Sequence, residues 1–232
     1  MNNTEKIKKL NNYFAKNYGM ALKDNSSKIY ELDNFEIEKL DISDDPVIKK
    51  KIFDTFFKYY SVNETYFFRE YLTEILIDIL NYYNIAYNNT LRIWSCGCST
   101  GCEAFSIAML IKYFEPNRFF EIIASDINVN NLDIINAGGP YSQREIEAYK
   151  FTQSKYNELL DYLVNKYFIK KNSSYYINKE INQTVKTMQL NLVDFNADQF
   201  NSYFDIIFCR NVLFYFNDES WLIAMTKIYQ TL

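Results

Sequence analysis

The chain has no histidine and only four cysteines among its 232 residues. A Ser-His-Asp or Cys-His arrangement is therefore excluded, and any metal site must do without the commonest ligand. Three of the cysteines, Cys96, Cys98 and Cys102, fall within seven positions, and Cys209 lies far along the chain. A closed zinc site requires four ligands, so the favoured reading is small reduced thiols packing a tight loop, with a metal as the lesser alternative. Positive charge is not in excess either. The formal net charge of −4 argues against nucleic acid, whose partners present a basic stripe. No apolar run approaches the ~20 residues of a membrane span, and the first residues, Met1-Asn-Asn-Thr-Glu-Lys-Ile-Lys-Lys9, have no apolar core behind their charges. These absences predict a cytoplasmic protein without membrane insertion. The length suits one large domain, or a small domain attached to a larger one.

What is present centres on Leu91-Arg-Ile-Trp-Ser-Cys-Gly-Cys-Ser-Thr-Gly-Cys-Glu103. An apolar run of strand type enters a turn holding Gly97 and Gly101, and an amphipathic helical pattern (Phe105, Ala108, Met109, Ile111, Lys112) leaves it. In a doubly wound α/β sheet such a turn lets backbone approach a ligand closely and aims helix N–H groups at it. Taken alone, Gly-x-x-x-Gly is weak, because many tight strand–helix turns carry glycine for steric reasons. Two further runs strengthen it. Phe119 to Ser125 ends in Asp126, about 25 residues beyond Gly101, where dinucleotide folds place the acid that receives ribose hydroxyls. Tyr203 to Cys209 ends in Arg210-Asn211 before Val212-Leu-Phe-Tyr-Phe216. Three strand ends thus deliver polar groups to the place where open α/β sheets bind ligands.

Around this core, helices are expected near 11–21, from Pro46 to about 60, from Thr65 to Tyr83, over 129–137 and 144–167, and from Asp218 to Tyr229. The helix beginning at Thr65 would set Thr65 and Arg69 one turn apart, facing one ligand. Taken alone, Arg69 is better read as half of a surface salt bridge with Glu70 or Glu74. Between Tyr30 and Asp45 seven acids stand against one lysine, a solvated face or link. Residues 175–181 and 184–190 suggest two antiparallel strands.

Asn63-Glu-Thr-Tyr-Phe-Phe-Arg-Glu70, Trp94-Ser-Cys-Gly-Cys-Ser-Thr-Gly-Cys-Glu103, Ala124-Ser-Asp-Ile-Asn128, Asn191-Leu192 and Phe208-Cys-Arg-Asn-Val-Leu-Phe-Tyr-Phe216 stand in an order and spacing that resembles the CheR-type chemotaxis-receptor glutamate methyltransferases. The resemblance runs from about residue 46 to about 221. It implies an α/β fold: a doubly wound, Rossmann-like S-adenosylmethionine-dependent methyltransferase sheet, with a small N-terminal helical domain (residues 1–88) and a main domain (89–232). A small antiparallel β-subdomain would be inserted at about 168–190. Relatives of this kind continue past position 232 with a glycine turn and a closing strand pair, so the sheet edge is expected to lack them here.

The resemblance also implies roles. S-adenosylmethionine would be the methyl donor and S-adenosylhomocysteine the product, with no metal. Arg69 and Tyr215 would be catalytic. Asn63, Thr65, Arg69, Gly97, Glu103, Asp126, Asn191, Leu192, Arg210 and Asn211 would contact the cofactor, Asp126 through the ribose and Asn191-Leu192 at the adenine. The acceptor would be glutamate side chains on the cytoplasmic part of a chemoreceptor. A basic N-terminal helix that lies on the receptor in this family is not evident in the sequence. The glycine-free stretch at 168–190 points to a version independent of a receptor C-terminal pentapeptide. Within the loop the family's usual Gly-Glu-Glu-Pro-Tyr-Ser is Gly101-Cys-Glu-Ala-Phe-Ser106 here.

Carboxylate methylation needs no general base. A glutamate with a pKa near ~4.3 is already ionised at neutral pH, and the task is to hold nucleophile and methyl carbon in line, shielded from water. A non-catalytic module that binds the cofactor or its product and acts through protein contacts is the alternative. A nicotinamide-dependent reductase explains the glycine turn and Asp126 but not Thr65-Tyr-Phe-Phe-Arg69.

Overall fold

A computed structural model of the chain describes residues 3–20, 47, 49–54, 64–82, 90–152 and 155–232. Asn63, the acidic stretch 30–45 and the boundary expected between 88 and 89 lie outside the described residues. Two compact units are formed: Met1–Glu64 with Val212–Thr226, and Thr65–Asn211 with Lys227–Leu232.

The larger unit is built on four parallel strands in the order β5-β2-β1-β6. These are β1 (Leu91–Cys96), β2 (Phe120–Asp126), β5 (Val185–Gln189) and β6 (Ile206–Phe208). Strand β1 lies at the centre, with Ser95 in register with Ala124 on one side and Phe208 on the other. Five of its six residues are buried, as expected of a parallel strand covered on both faces. The connections run from β1 outward to β2 on one side and return to β6 on the other. The order therefore reverses at β1, and ligands of such sheets bind outside the carboxyl ends at that point.

Helix α3 (Cys102–Phe114) follows the glycine turn. It differs from the amphipathic expectation: Cys102 and every residue from Ala104 to Ile111 are buried. It packs against other helices as well as the sheet, so no face is left for water. Helix α4 (Val129–Ala137) stops at Gly138, the first residue of Gly138-Gly139-Pro140, whose φ of 70° supplies the left-handed cap.

Four further expectations are corrected. The helix expected from Thr65 begins only at Leu72, as α2 (Leu72–Tyr82), because Phe68 and Tyr71 take φ values of 54° and 62° that a right-handed helix forbids. Thr65 and Arg69 are therefore not one helical turn apart. The expected helix over 144–167 is interrupted. Helix α5 (Gln143–Glu147), capped by Ser142 and Glu145 in a capping box, passes into a 3-10 turn (Ala148–Phe151), and α6 (Asn157–Tyr167) follows. The antiparallel pair falls earlier than expected, as β3 (Phe168–Lys171) with β4 (Ser174–Ile177) around Asn172 at φ 56°. The stretch read as its second strand instead extends the parallel sheet as β5 beside β2, reached through α7 (Lys179–Asn182). A local two-residue turn closes a hairpin at little entropic cost, which leaves the later strand free for the main sheet.

The smaller unit contains α1 (Asn3–Tyr18), ended by Gly19 at φ 67°. It starts eight residues before the expected position and takes Lys6, Lys8 and Lys9 into the helix. A basic helix with one acid, Glu5, is therefore present after all. Lysine is a good helix former, and Leu10 and Phe14, one turn apart and fully buried, supply the anchoring stripe. Met20 pairs with Phe216 in an antiparallel bridge, and the Asn217 N–H donates to the Gly19 carbonyl at 3.2 Å. Leu213–Tyr215 form a 3-10 turn ahead of α8 (Asp218–Gln230), so Tyr215 lies in a turn and not at the end of a strand. No helix among the described residues is long and apolar enough to cross a membrane.

Candidate active site

The turn between β1 and α3 is held from three sides. Gly97 and Gly101 have φ values of 61° and 84°, and Ser99 between them has 50°. A Cβ on Gly101 would stand 2.6 Å from Cγ1 of Ile135, so this glycine is required both by its backbone and by its neighbour. The Cys98 N–H donates to the Ser125 carbonyl at 2.9 Å, and the Ser99 N–H to Oδ2 of Asp126 at 2.8 Å. From the other side the Tyr141 hydroxyl donates to the Thr100 carbonyl at 2.8 Å.

Asp126, the last residue of β2, does more than wait for a ligand. Its Oδ1 also accepts from the Asn128 N–H at 2.9 Å and from Nδ2 of Asn131 at 3.3 Å. A carboxylate offers about four acceptor positions, so most of this one is spent on the loop. Burial pushes its pKa up, and the hydrogen bonds from Asn128, Ser99 and Asn131 pull it back. The Ser99 hydroxyl is buried without a hydrogen-bond partner among the described residues.

Glu103 sits in the first turn of α3, where the helix dipole favours an acid. Its Oε1 accepts from the Ser95 hydroxyl at 2.8 Å, and its Oε2 lies 3.3 Å from Nη1 of Arg210, just beyond β6. Burial raises its pKa while the Ser95 hydrogen bond and the Arg210 charge oppose the rise. Nη2 of Arg210 continues to the carbonyl of Glu70 at 2.5 Å. One guanidinium thus joins the carboxyl ends of β1 and β6, the start of α3 and the segment carrying Arg69.

That segment, Thr65 to Tyr71, is anchored by its aromatics and by Ser106. Phe67 is fully buried and meets the rings of Tyr141 and Phe168 edge-on at 4.9 and 4.7 Å. The Phe68 N–H donates to the Ser106 hydroxyl at 2.8 Å, and that hydroxyl donates on to the Cys102 carbonyl at 2.6 Å. Arg69 then projects to a partly exposed position. Its Nε lies 3.6 Å from Oε2 of Glu70, and its guanidinium stands 5.6 Å from the centre of the Tyr66 ring.

Asn191 and Leu192 follow β5, and the Leu190 N–H donates to the Asp126 carbonyl at 3.1 Å, which brings this loop beside the end of β2. Asn211 is exposed, at φ 58°, directly after Arg210. The larger unit therefore contains Thr65, Arg69, Gly97, Glu103, Asp126, Asn191, Leu192, Arg210 and Asn211, and the smaller contains Tyr215. Asn63 is outside the described residues. Ser95, Ser99 and Tyr141 carry contacts that sequence reading does not single out. A serine within the apolar run Leu91 to Cys96 is the one signal that points to Ser95.

All four cysteines are free. Burial raises the thiols of Cys96, Cys98 and Cys102, so none of these three is poised as a thiolate nucleophile. No group of three or more Cys, Asp or Glu side chains suited to a metal occurs among the described residues.

The family model described as "CheR methyltransferase, SAM binding domain" matches residues 63–232. A "Chemotaxis protein methyltransferase" of Borreliella burgdorferi is 34% identical over 69% of this chain and 56% of its own. "Chemotaxis protein methyltransferase 2" of Vibrio cholerae is 35% identical over 74% of this chain and 58% of its own. The Listeria monocytogenes "Chemotaxis protein methyltransferase" is 30% identical over 61% and 49%. The chain thus spans about half the length of these relatives. With a family match over most of its length, on a parallel sheet of the matching kind, this chain belongs to the CheR methyltransferase SAM-binding domain family.

Proposed function

We propose that the protein is an S-adenosylmethionine-dependent O-methyltransferase, which forms methyl esters on glutamate side chains in the cytoplasmic part of chemotaxis receptors. The observation that carries this reading is the Arg210 bridge. It ties Glu103, at the switch-point crevice, to the backbone of Glu70 beside Arg69, and so couples a ligand-binding turn to a cation suited to a carboxylate.

The residues present fit the cofactor. The turn offers a buried hydroxyl, Ser99 Oγ, without a partner among the described residues, next to the carboxylate of Asp126 that the Ser99 N–H reaches, a donor and acceptor set suited to a ligand with hydroxyls and an amino group. Asp126 would take a ribose hydroxyl with its remaining acceptor position. Asn191 and Leu192 would frame the base, and Gly97, Glu103, Arg210 and Asn211 the methionyl end; the family resemblance assigns Asn63 and Thr65 to the cofactor as well. S-adenosylmethionine, when bound, supplies the methyl group. The protein's part is positional: Arg69 holds the acceptor carboxylate, and the aromatic wall of Phe67 and Phe68 excludes water behind it. Tyr215 is proposed, from the family resemblance alone, to present its hydroxyl to the acceptor. Helix α1, with Lys8 and Lys16 exposed, Lys9 half-buried and one acid, suits an acidic receptor surface, and no receptor C-terminal tether is invoked.

Incubation with methyl-labelled S-adenosylmethionine and a receptor cytoplasmic fragment should leave base-labile label on glutamates, and no label at any enzyme concentration sinks the reading. Arg69→Ala should cut transfer by about a hundredfold or more, the penalty of a misplaced reactant, with S-adenosylhomocysteine affinity near that of the wild type by calorimetry. Unchanged turnover removes Arg69 from the mechanism.

A further inference from the structure

Arg69 and Glu70 are neighbours in sequence, yet their side chains turn toward each other, with Nε 3.6 Å from Oε2. That separation is beyond hydrogen-bond range, so the pair is a loose, single-point ion pair and not the bidentate fork that Arg forms with a well-seated carboxylate. The Glu70 side chain is half exposed and that of Arg69 a quarter exposed, which leaves the pair open to exchange. The two ends of Glu70 are treated differently. Its carbonyl is fixed by Arg210, which is itself paired with Glu103, while its carboxylate meets Arg69, the Tyr66 hydroxyl and its own backbone N–H. The backbone is anchored and the carboxylate can swing away.

We infer that Glu70 is a resident stand-in for the acceptor: its carboxylate occupies Arg69 in the free protein and is displaced by the carboxylate of the incoming glutamate. The inference rests on the functional reading above for the identity of that acceptor. The two groups are chemically the same, so the guanidinium keeps a partner at every stage, and each acceptor must compete with one already present. An exposed ion pair of this kind shifts binding by up to about fivefold, which makes Glu70 a tuner of acceptor affinity and not a barrier to reaction. Tyr66, already bonded to the Glu70 carboxylate through its hydroxyl, would keep it after displacement from Arg69. Burial and Glu70 together hold that phenol protonated, its pKa pushed up to about 12.

The test is a gain that structural damage cannot imitate. Glu70→Gln keeps the size of the side chain and the carbonyl contact with Arg210. It should lower the KM for a receptor fragment by about two- to fivefold, with kcat and S-adenosylhomocysteine affinity unchanged. A KM equal to or above that of the wild type overturns the inference. Should the wild type methylate no fragment, the functional reading fails, and Glu70 is then decided separately by titrating glutarate against the nitrogen-15 resonance of Arg69 Nε. Tighter glutarate binding by Glu70→Gln than by the wild type upholds the stand-in, and equal binding by the two proteins rejects it.

Discussion

The turn from Gly97 to Gly101 and the segment from Thr65 to Tyr71 both depart from regular backbone next to the Glu103–Arg210 bridge, and they do so by different means. In the turn, glycines at either end take positive φ without cost, and Ser99 alone bears a side chain in that conformation. The segment has no glycine, and two aromatic residues, Phe68 and Tyr71, carry the left-handed angles. Each solution shares one device. The N–H of the non-glycine residue donates at 2.8 Å to a side-chain oxygen of another element, Asp126 for Ser99 and Ser106 for Phe68. The difference lies in what sustains the geometry. Local chain freedom is nearly enough for the turn, whereas the segment depends on the burial of Phe67 and Phe68 against Tyr141, Tyr149 and Phe168. A site can therefore be half self-templated and half imposed by its surroundings.

Three substitutions sharpen this contrast. Phe68→Ala removes the ring that holds the segment and should destabilise the fold by about 3–5 kcal/mol in denaturant titration. A loss under 1 kcal/mol would mean that the segment keeps its shape without the aromatic wall. Gly101→Ala should cost roughly 2–4 kcal/mol, from left-handed strain and the 2.6 Å approach to Ile135 together, and should weaken S-adenosylhomocysteine binding in the same titrations. Were binding to weaken with stability untouched, the glycine would serve the ligand and not the packing. The smallest effect belongs to Ser106→Ala, about 1–3 kcal/mol for a buried Phe68 N–H left without its acceptor. In an Arg69→Ala background the same change should add little further loss of methyl transfer, since Ser106 influences turnover by holding the residue before Arg69. An equal further loss would separate the two.

Much of the sheet was legible because its signals are local. The runs Leu91 to Trp94 and Phe119 to Ser125 are apolar and bounded by turn residues, and Gly138-Gly139-Pro140 marks a helix end. The aromatic-rich stretches misled for the complementary reason. Thr65 to Tyr83 has helical spacing throughout, and nothing in its first seven residues announces that Phe68 will take a positive φ. Residues 184–190 alternate like half of a local hairpin, but the partner is β2, 63 positions earlier in the chain. The basic character of α1 was overlooked because its lysines precede the apolar residues that reveal the helix.

By itself the sequence determined the order of the central strands' motifs, the glycine turn, the placing of Asp126 and Glu103 at strand and helix ends, and the family. Short-range sterics and periodic burial act through neighbours a few positions apart, and such information is written in consecutive residues. Only the tertiary structure decided that Asp126 is largely consumed by its own loop, that Arg210 spans from Glu103 to Glu70, and that Glu70 occupies Arg69. The contacts of Asp126 with Ser99 and of Arg210 with Glu103 and Glu70 join residues from 27 to 140 positions apart, and they exist only once the packing of Phe67, Phe68 and Tyr141 has set the distance.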